Sequence, residues 1–65
     1  MANTQQTMMK IRKRVKAISG IETDDNYYTF DRDTQQIVSN REIDGWHFIF
    51  DLEGNEIESK RHRHY

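Results

Sequence analysis

Cysteine and proline are both absent from this chain of 65 residues, and glycine occurs only three times. Without cysteine there is no disulfide and no thiolate metal site to stiffen a small fold. Three scattered glycines leave no glycine-rich phosphate loop. No apolar run approaches the roughly 18 residues of a membrane-spanning helix. The opening stretch MANTQQTMMKIRKR is basic but has no apolar segment behind it, so it does not read as a secretory signal and a cytoplasmic protein is expected. Apolar residues are scarce as well, at 34% against 32% charged. One domain of this size lies near the lower limit at which a core alone holds a fold. A thin core and association into a homo-oligomer are therefore expected, with residues 1–8 and 61–65 fraying at the ends.

Charge is plentiful, and the net value of −1 conceals how it is distributed. Met1 to Gly20 carries Lys10, Arg12, Lys13, Arg14 and Lys16 and no acid. Ile21 to Ser59 carries eleven acids against Arg32 and Arg41, a local balance of −9, and KRHRHY at the end is basic again. Such segregation is satisfied when basic ends lie against the acidic middle, within one subunit or between two. It also arises when one face binds an oppositely charged partner.

A repeat runs through the rest. Shifting the chain by twenty residues sets YTFDRDTQQIVS (Tyr28 to Ser39) over FIFDLEGNEIES (Phe48 to Ser59), with four of twelve positions identical. Each unit reads as a β-hairpin. Trp46, Phe48 and Phe50 alternate as one buried face of a strand. Asp51 opens a turn and can accept from backbone amides two residues on, Gly54 takes a positive φ, and Ile57 faces inward on the return. Thr34 stands where the second copy has Gly54, which predicts a differently shaped first turn.

The segment MKIRKRVKAI admits two readings. As a helix it gathers Met8, Ile11, Val15 and Ile18 into an arc of about 80°, with Ser19-Gly20 as its stop. As a strand it alternates Met9, Ile11, Val15 and Ala17 against Lys10, Arg12, Arg14 and Lys16. The repeat favours the strand, because Ala17-Ile18-Ser19 aligns with the return strands of both hairpins. The expected fold is thus a mostly β antiparallel meander of five strands near 9–18, 27–31, 36–40, 46–51 and 55–60, burying Trp46, Phe48, Phe50, Phe30, Tyr28 and Ile37 together. The alternative is α+β, an N-terminal helix on a three- or four-stranded antiparallel sheet.

Ile43, Asp44, Gly45, Phe48, Phe50, Asp51, Gly54 and Ile57 form a pattern that resembles the aromatic hairpin repeat of cell-wall and glucan-binding modules. YD-type repeats share its Phe-Asp core. The resemblance covers about residues 24–59, and the upstream copy departs from it at Asp25 and at Thr34-Gln35, where the family has glycines. It implies hairpin geometry and a glycan-binding alternative.

Candidate chemistry is sparse. The pairs Asp24/Asp25, Asp31/Asp33 and Asp51/Glu53 could suggest paired carboxylates, but Asp31 and Asp51 occupy equivalent turn entries, as structural residues do. Asp51-x-Glu53-Gly54 lacks calcium-loop spacing. His47, His62 and His64 would need a rigid frame to hold zinc. No nucleophile stands beside a base, so no enzyme, metal or cofactor is expected. A small binding protein that engages a protein partner through Glu22, Asp24, Asp25, Glu42 and Asp44 is the expected function. These acids lie in the two longer connections, which a meander brings to one end. Nucleic-acid binding through Lys10, Arg12, Arg14 and Lys16 is the alternative, although the isoelectric point near 6.3 is low for it.

Overall fold

The computed structural model describes residues 4–62. It contains a helix α1 (Thr4–Ser19), a short 3-10 turn (Asp25–Tyr27) and strands β1 (Tyr28–Asp31), β2 (Gln36–Ser39), β3 (Trp46–Asp51) and β4 (Glu56–Arg61). The strands form one antiparallel sheet in the order β1-β2-β3-β4. The architecture is α+β, and the five-strand meander is corrected at one element: residues 9–18 belong to the helix.

The reason is the cover the sheet needs. β2 and β3 present Ile37, Phe48 and Phe50 on one face, and a sheet face of that kind must be closed by a second layer. Thr7, Ile11 and Val15 recur every four residues along α1 and are buried, with Met8 and Ile18 packed at the margins. A strand with the same residues would carry Lys13 on the face of Ile11 and Val15, whereas the helix leaves Lys13 exposed. Ser19 ends the helix, its hydroxyl donating to the Val15 carbonyl at 2.7 Å and accepting from the Ile21 amide at 3.2 Å. Residues 4–8, expected to fray, form the first turns of α1. Buried Thr7 anchors them and donates to the Leu52 carbonyl at 3.4 Å. Arg61 likewise ends β4 opposite Trp46.

The twenty-residue shift superposes strand on strand. Tyr28 pairs with Ser39 and Thr29 with Val38 in the first hairpin; Phe48 pairs with Ser59 and Ile49 with Glu58 in the second. Beyond that point the copies diverge. Phe30 meets Ile37, whereas Phe50 meets Glu56 across a register shift that leaves Ile57 as the extra residue of a bulge. Phe50 is fully buried, and Phe30 is 51% exposed. Ile37 is buried and Ile57 is 51% exposed, so the expected inward Ile57 is corrected, and of the aromatics expected in the core Phe30 and Trp46 are only partly buried. α1 stands over β3, where Trp46, Phe48 and Phe50 stack at centroid spacings of 5.9 and 6.0 Å.

Both turns are built around their first aspartate. Asp51 Oδ1 accepts from the amides of Glu53 and Asn55 at 2.9 and 2.8 Å, and Gly54 has φ +85°. In the first copy Asp31 Oδ1 accepts from Asp33 at 3.0 Å and from Thr34 at 3.4 Å. There the positive φ, 54°, falls on Gln35, so this turn does differ in shape. A third tight turn joins β2 to β3: Ile43 and Trp46 exchange backbone hydrogen bonds around Asp44-Gly45, both at positive φ. This is the two-residue hairpin turn that an Asp-Gly dipeptide favours, and it buries Ile43 to 2% exposure.

Candidate functional site

The helix divides the basic residues that the strand reading kept together. Positions two apart on a helix point about 200° away from each other, and positions four apart align. Lys10 and Arg14 therefore form one row and Arg12 and Lys16 another, and each row meets different acceptors. On the first row Lys10 Nζ donates to Asn55 Oδ1 at 2.6 Å and Arg14 Nε to Glu56 Oε1 at 2.6 Å. On the second, Lys16 Nζ lies 2.6 Å from Glu22 Oε1 and Arg12 Nε 3.8 Å from Asp25 Oδ1. Lys13 lies on the outward side of the helix and has no ion-pair partner among the described residues. The proposed nucleic-acid face of Lys10, Arg12, Arg14 and Lys16 is thus not one face.

The acidic middle does lie against the basic segment within a single subunit. The Lys16 ammonium, donating to Glu22, holds that carboxyl below the usual carboxylate range. Arg14, with Ser59 donating as well, does the same for Glu56. Asp51 is lowered chiefly by the Asn55 amide. These groups are exposed or nearly so, and their pairs are screened by water.

The connections from α1 to β1 and from β2 to β3 meet at one end of the sheet, as the topology of alternate loops requires. The Asn40 amide donates to the Tyr27 carbonyl at 2.8 Å, and the Asn40 side chain to the Asn26 carbonyl at 2.8 Å. The Arg41 guanidinium lies 4.7 Å from the centroid of the Tyr27 ring, a cation–π arrangement. Glu22, Asp24, Asp25, Glu42 and Asp44 are all exposed in these two connections. They are not equivalent. Asp24 caps the 3-10 turn, accepting from the Asn26 amide at 2.9 Å. Glu22 and Asp25 face helix cations, and Asp44 Oδ2 lies 3.9 Å from Arg61. Glu42 has no ion-pair partner among the described residues.

Beneath this end, Tyr28 and Thr23 share a hydroxyl–hydroxyl hydrogen bond of 2.7 Å. Burial raises the Tyr28 phenol above its ordinary range, against the smaller opposing effects of the Thr23 hydrogen bond and nearby Arg12.

His47 is half-buried on β3, its Nδ1 3.4 Å from Ser39 Oγ. Ser39 Oγ also accepts the Phe48 amide at 3.0 Å, standing in for a backbone acceptor where the β2–β3 ladder ends. His62 is exposed just past β4, and His64 lies outside the described residues. No group of three potential metal ligands forms among the described residues, and among them no helix is long and apolar enough to cross a membrane.

Two features escaped the reading of the sequence. One is the Asp44-Gly45 turn, for which the dipeptide itself was the signal. The other is a notch of about 250 Å³ between the start of α1 and the first hairpin, lined by Thr4, Thr7, Phe30, Ile37 and Leu52; no local pattern announces it, because it exists only once the helix lies on the sheet. No protein-family model matches the chain, and comparison with curated proteins and with solved structures finds no match either.

Proposed function

We propose that this protein is a non-catalytic binding protein that engages a protein partner through the acidic end of the sheet. The observation that carries the reading is the contact of Asn40 and Arg41 with Asn26 and Tyr27. It holds the two acidic connections side by side, so that Glu22, Asp24, Asp25, Glu42 and Asp44 belong to one end of the molecule. A partner with a basic surface would take up Glu42 directly and compete with Arg12 and Lys16 for Asp25 and Glu22. Such exchange of one ion pair for another favours fast, salt-sensitive association more than high affinity.

Less supports the nucleic-acid alternative, since Lys10 and Arg14 are turned toward β4 and Arg12 and Lys16 toward the acidic connection. The glycan-binding alternative needs exposed rings, and Phe48 and Phe50 are closed off by α1.

Affinity capture from host lysate, with and without nuclease and at two salt concentrations, tests the reading. A partner that survives nuclease, weakens with salt and is lost on Asp25→Lys with Glu42→Lys supports it. Loss of all partners on nuclease treatment supports nucleic-acid binding instead. A confirmed protein partner whose binding ignores both charge reversals removes the acidic end from the interface.

A further inference from the structure

Among the described residues β4 is an edge of the sheet with no strand beyond it, six residues long and exposed throughout except for half-buried Ser59. The hydrogen-bond phase along it can be read from its end. The His62 amide donates to the Gly45 carbonyl at 2.8 Å, and bonded pairs alternate along an antiparallel ladder. Lys60 and Glu58 therefore bond inward to His47 and Ile49, their cross-strand partners. The Phe48 amide, turned the other way toward Ser39 Oγ, agrees with this phase. The backbone amides and carbonyls of Ser59 and Arg61 consequently point out of the sheet edge. An edge of this kind is a template for another strand.

From this we infer that β4 pairs with β4 of a second copy, antiparallel about a two-fold axis at Ser59, to make a continuous eight-stranded sheet. The charge pattern of Glu56–Arg61 selects the register. Pairing that keeps the outward groups facing each other is restricted to shifts of two residues. A shift one way sets Glu58 against the partner's Glu58, and a shift the other way sets Lys60 against the partner's Lys60. Only the register with Ser59 facing the partner's Ser59 places Glu58 opposite the partner's Lys60, and it does so twice by symmetry. Lysine and a bulge on an edge strand ordinarily discourage pairing; here alternation of sign discourages every register but one. The other edge, β1, has four residues and no such self-complementarity. A β4–β1 contact would leave free edges and grow open-ended, whereas a two-fold contact closes.

The chain has no cysteine, so Ser59→Cys introduces a single thiol. In a bonded antiparallel pair the two Cα atoms stand about 5.5 Å apart, within disulfide reach. Under air oxidation Ser59→Cys is expected to form a covalent dimer much faster than Thr29→Cys on the β1 edge. Light scattering of the unmodified protein should give a dimer at tens of micromolar. Lys60→Glu should raise the dimer dissociation constant about tenfold or more, since like charges would then face each other twice, and adding Glu58→Lys should restore it. Circular dichroism verifies that each variant is folded. A monomer at these concentrations, an open-ended polymer, equal cross-linking at Thr29→Cys, or a dimer indifferent to Lys60→Glu would each overturn the inference.

Discussion

Gly54 lies against the backbone of α1 at Thr7. A Cβ built on this glycine would stand 3.2 Å from the Thr7 carbonyl oxygen and 3.2 Å from Lys10 Cδ. The turn of the second hairpin therefore approaches the helix closely, and the absent side chain is what leaves room for that approach. Gly54→Val is expected to cost about 2–4 kcal/mol, from the left-handed conformation and the contact with an unyielding carbonyl. Thr34→Val, at the equivalent but exposed position of the first turn, should cost less than about 0.5 kcal/mol. Chemical denaturation of the two variants checks the difference.

The first turn stores strain that the second avoids. Gln35 has φ +54°, a conformation that costs an ordinary residue about 1–2 kcal/mol and glycine almost nothing. Glycine's greater freedom in the unfolded chain returns part of that gain. Gln35→Gly should accordingly stabilise the fold by up to about 1 kcal/mol, seen as a higher denaturation midpoint with an unchanged slope.

Phe30 and Phe50 are equivalent in the repeat but not in the fold. Phe50 is 0% exposed and Phe30 51% exposed. Phe50→Ala is expected to cost about 3–5 kcal/mol, close to the whole stability of so small a domain. Phe30→Ala should cost only about 1 kcal/mol, since about half of the residue stays in contact with water in the folded protein. Thermal unfolding followed by circular dichroism distinguishes the two, with Phe50→Leu as the milder variant if the alanine variant does not fold.

Glu22, Asp51 and Glu56 titrate below the ordinary carboxylate range in the folded protein. The unfolded chain thus binds more protons than the folded one as acid is added, and the stability these groups contribute, complete above the unfolded-state range, is lost as pH falls through the lowered folded-state values. Tyr28 is shifted upward, so its contribution is lost at the alkaline side. A dome of thermal midpoint against pH is expected, with the acid limb flattened in the combined Glu22→Gln, Asp51→Asn, Glu56→Gln variant. An unaltered acid limb would mean that other groups govern it.

Arg14 and Glu56 link α1 to β4 across 42 residues of sequence at 2.6 Å. The pair is partly exposed, at 55% and 27% for the two side chains. A double-mutant cycle with Arg14→Ala and Glu56→Ala should give a coupling under about 1 kcal/mol, and high salt should reduce it further.

Much of the sheet is local chemistry, and this is why it could be read. Alternation along Trp46–Asp51, the aspartate at each turn entry and the glycine at Gly54 act over a few residues. They placed all four strands to within a residue of where they stand. The candidate acids lie in the connections α1–β1 and β2–β3, but Asp44, expected outside the hairpin turns, sits in the tight Asp44-Gly45 turn. How they are used was not legible: that Asp24 is spent on a cap, Glu22 and Asp25 on helix cations, and Asp44 on Arg61 depends on where α1 lies.

The segment from Met8 to Ile18 shows the limit most clearly. Its residues fit a helix and a strand about equally well, because Ile11 and Val15 occur at a spacing that both periods allow. The sequence alone determined a small, cysteine-free domain with two related hairpins and segregated charge. Tertiary structure decided the rest: the bare face over Ile37, Phe48 and Phe50 requires a covering layer, and a helix presents Thr7, Ile11 and Val15 to it while turning Lys13, which a strand would carry on that same face, outward. That single choice parts Lys10 and Arg14 from Arg12 and Lys16, and it buries Phe50 fully while its repeat partner Phe30 stays half exposed.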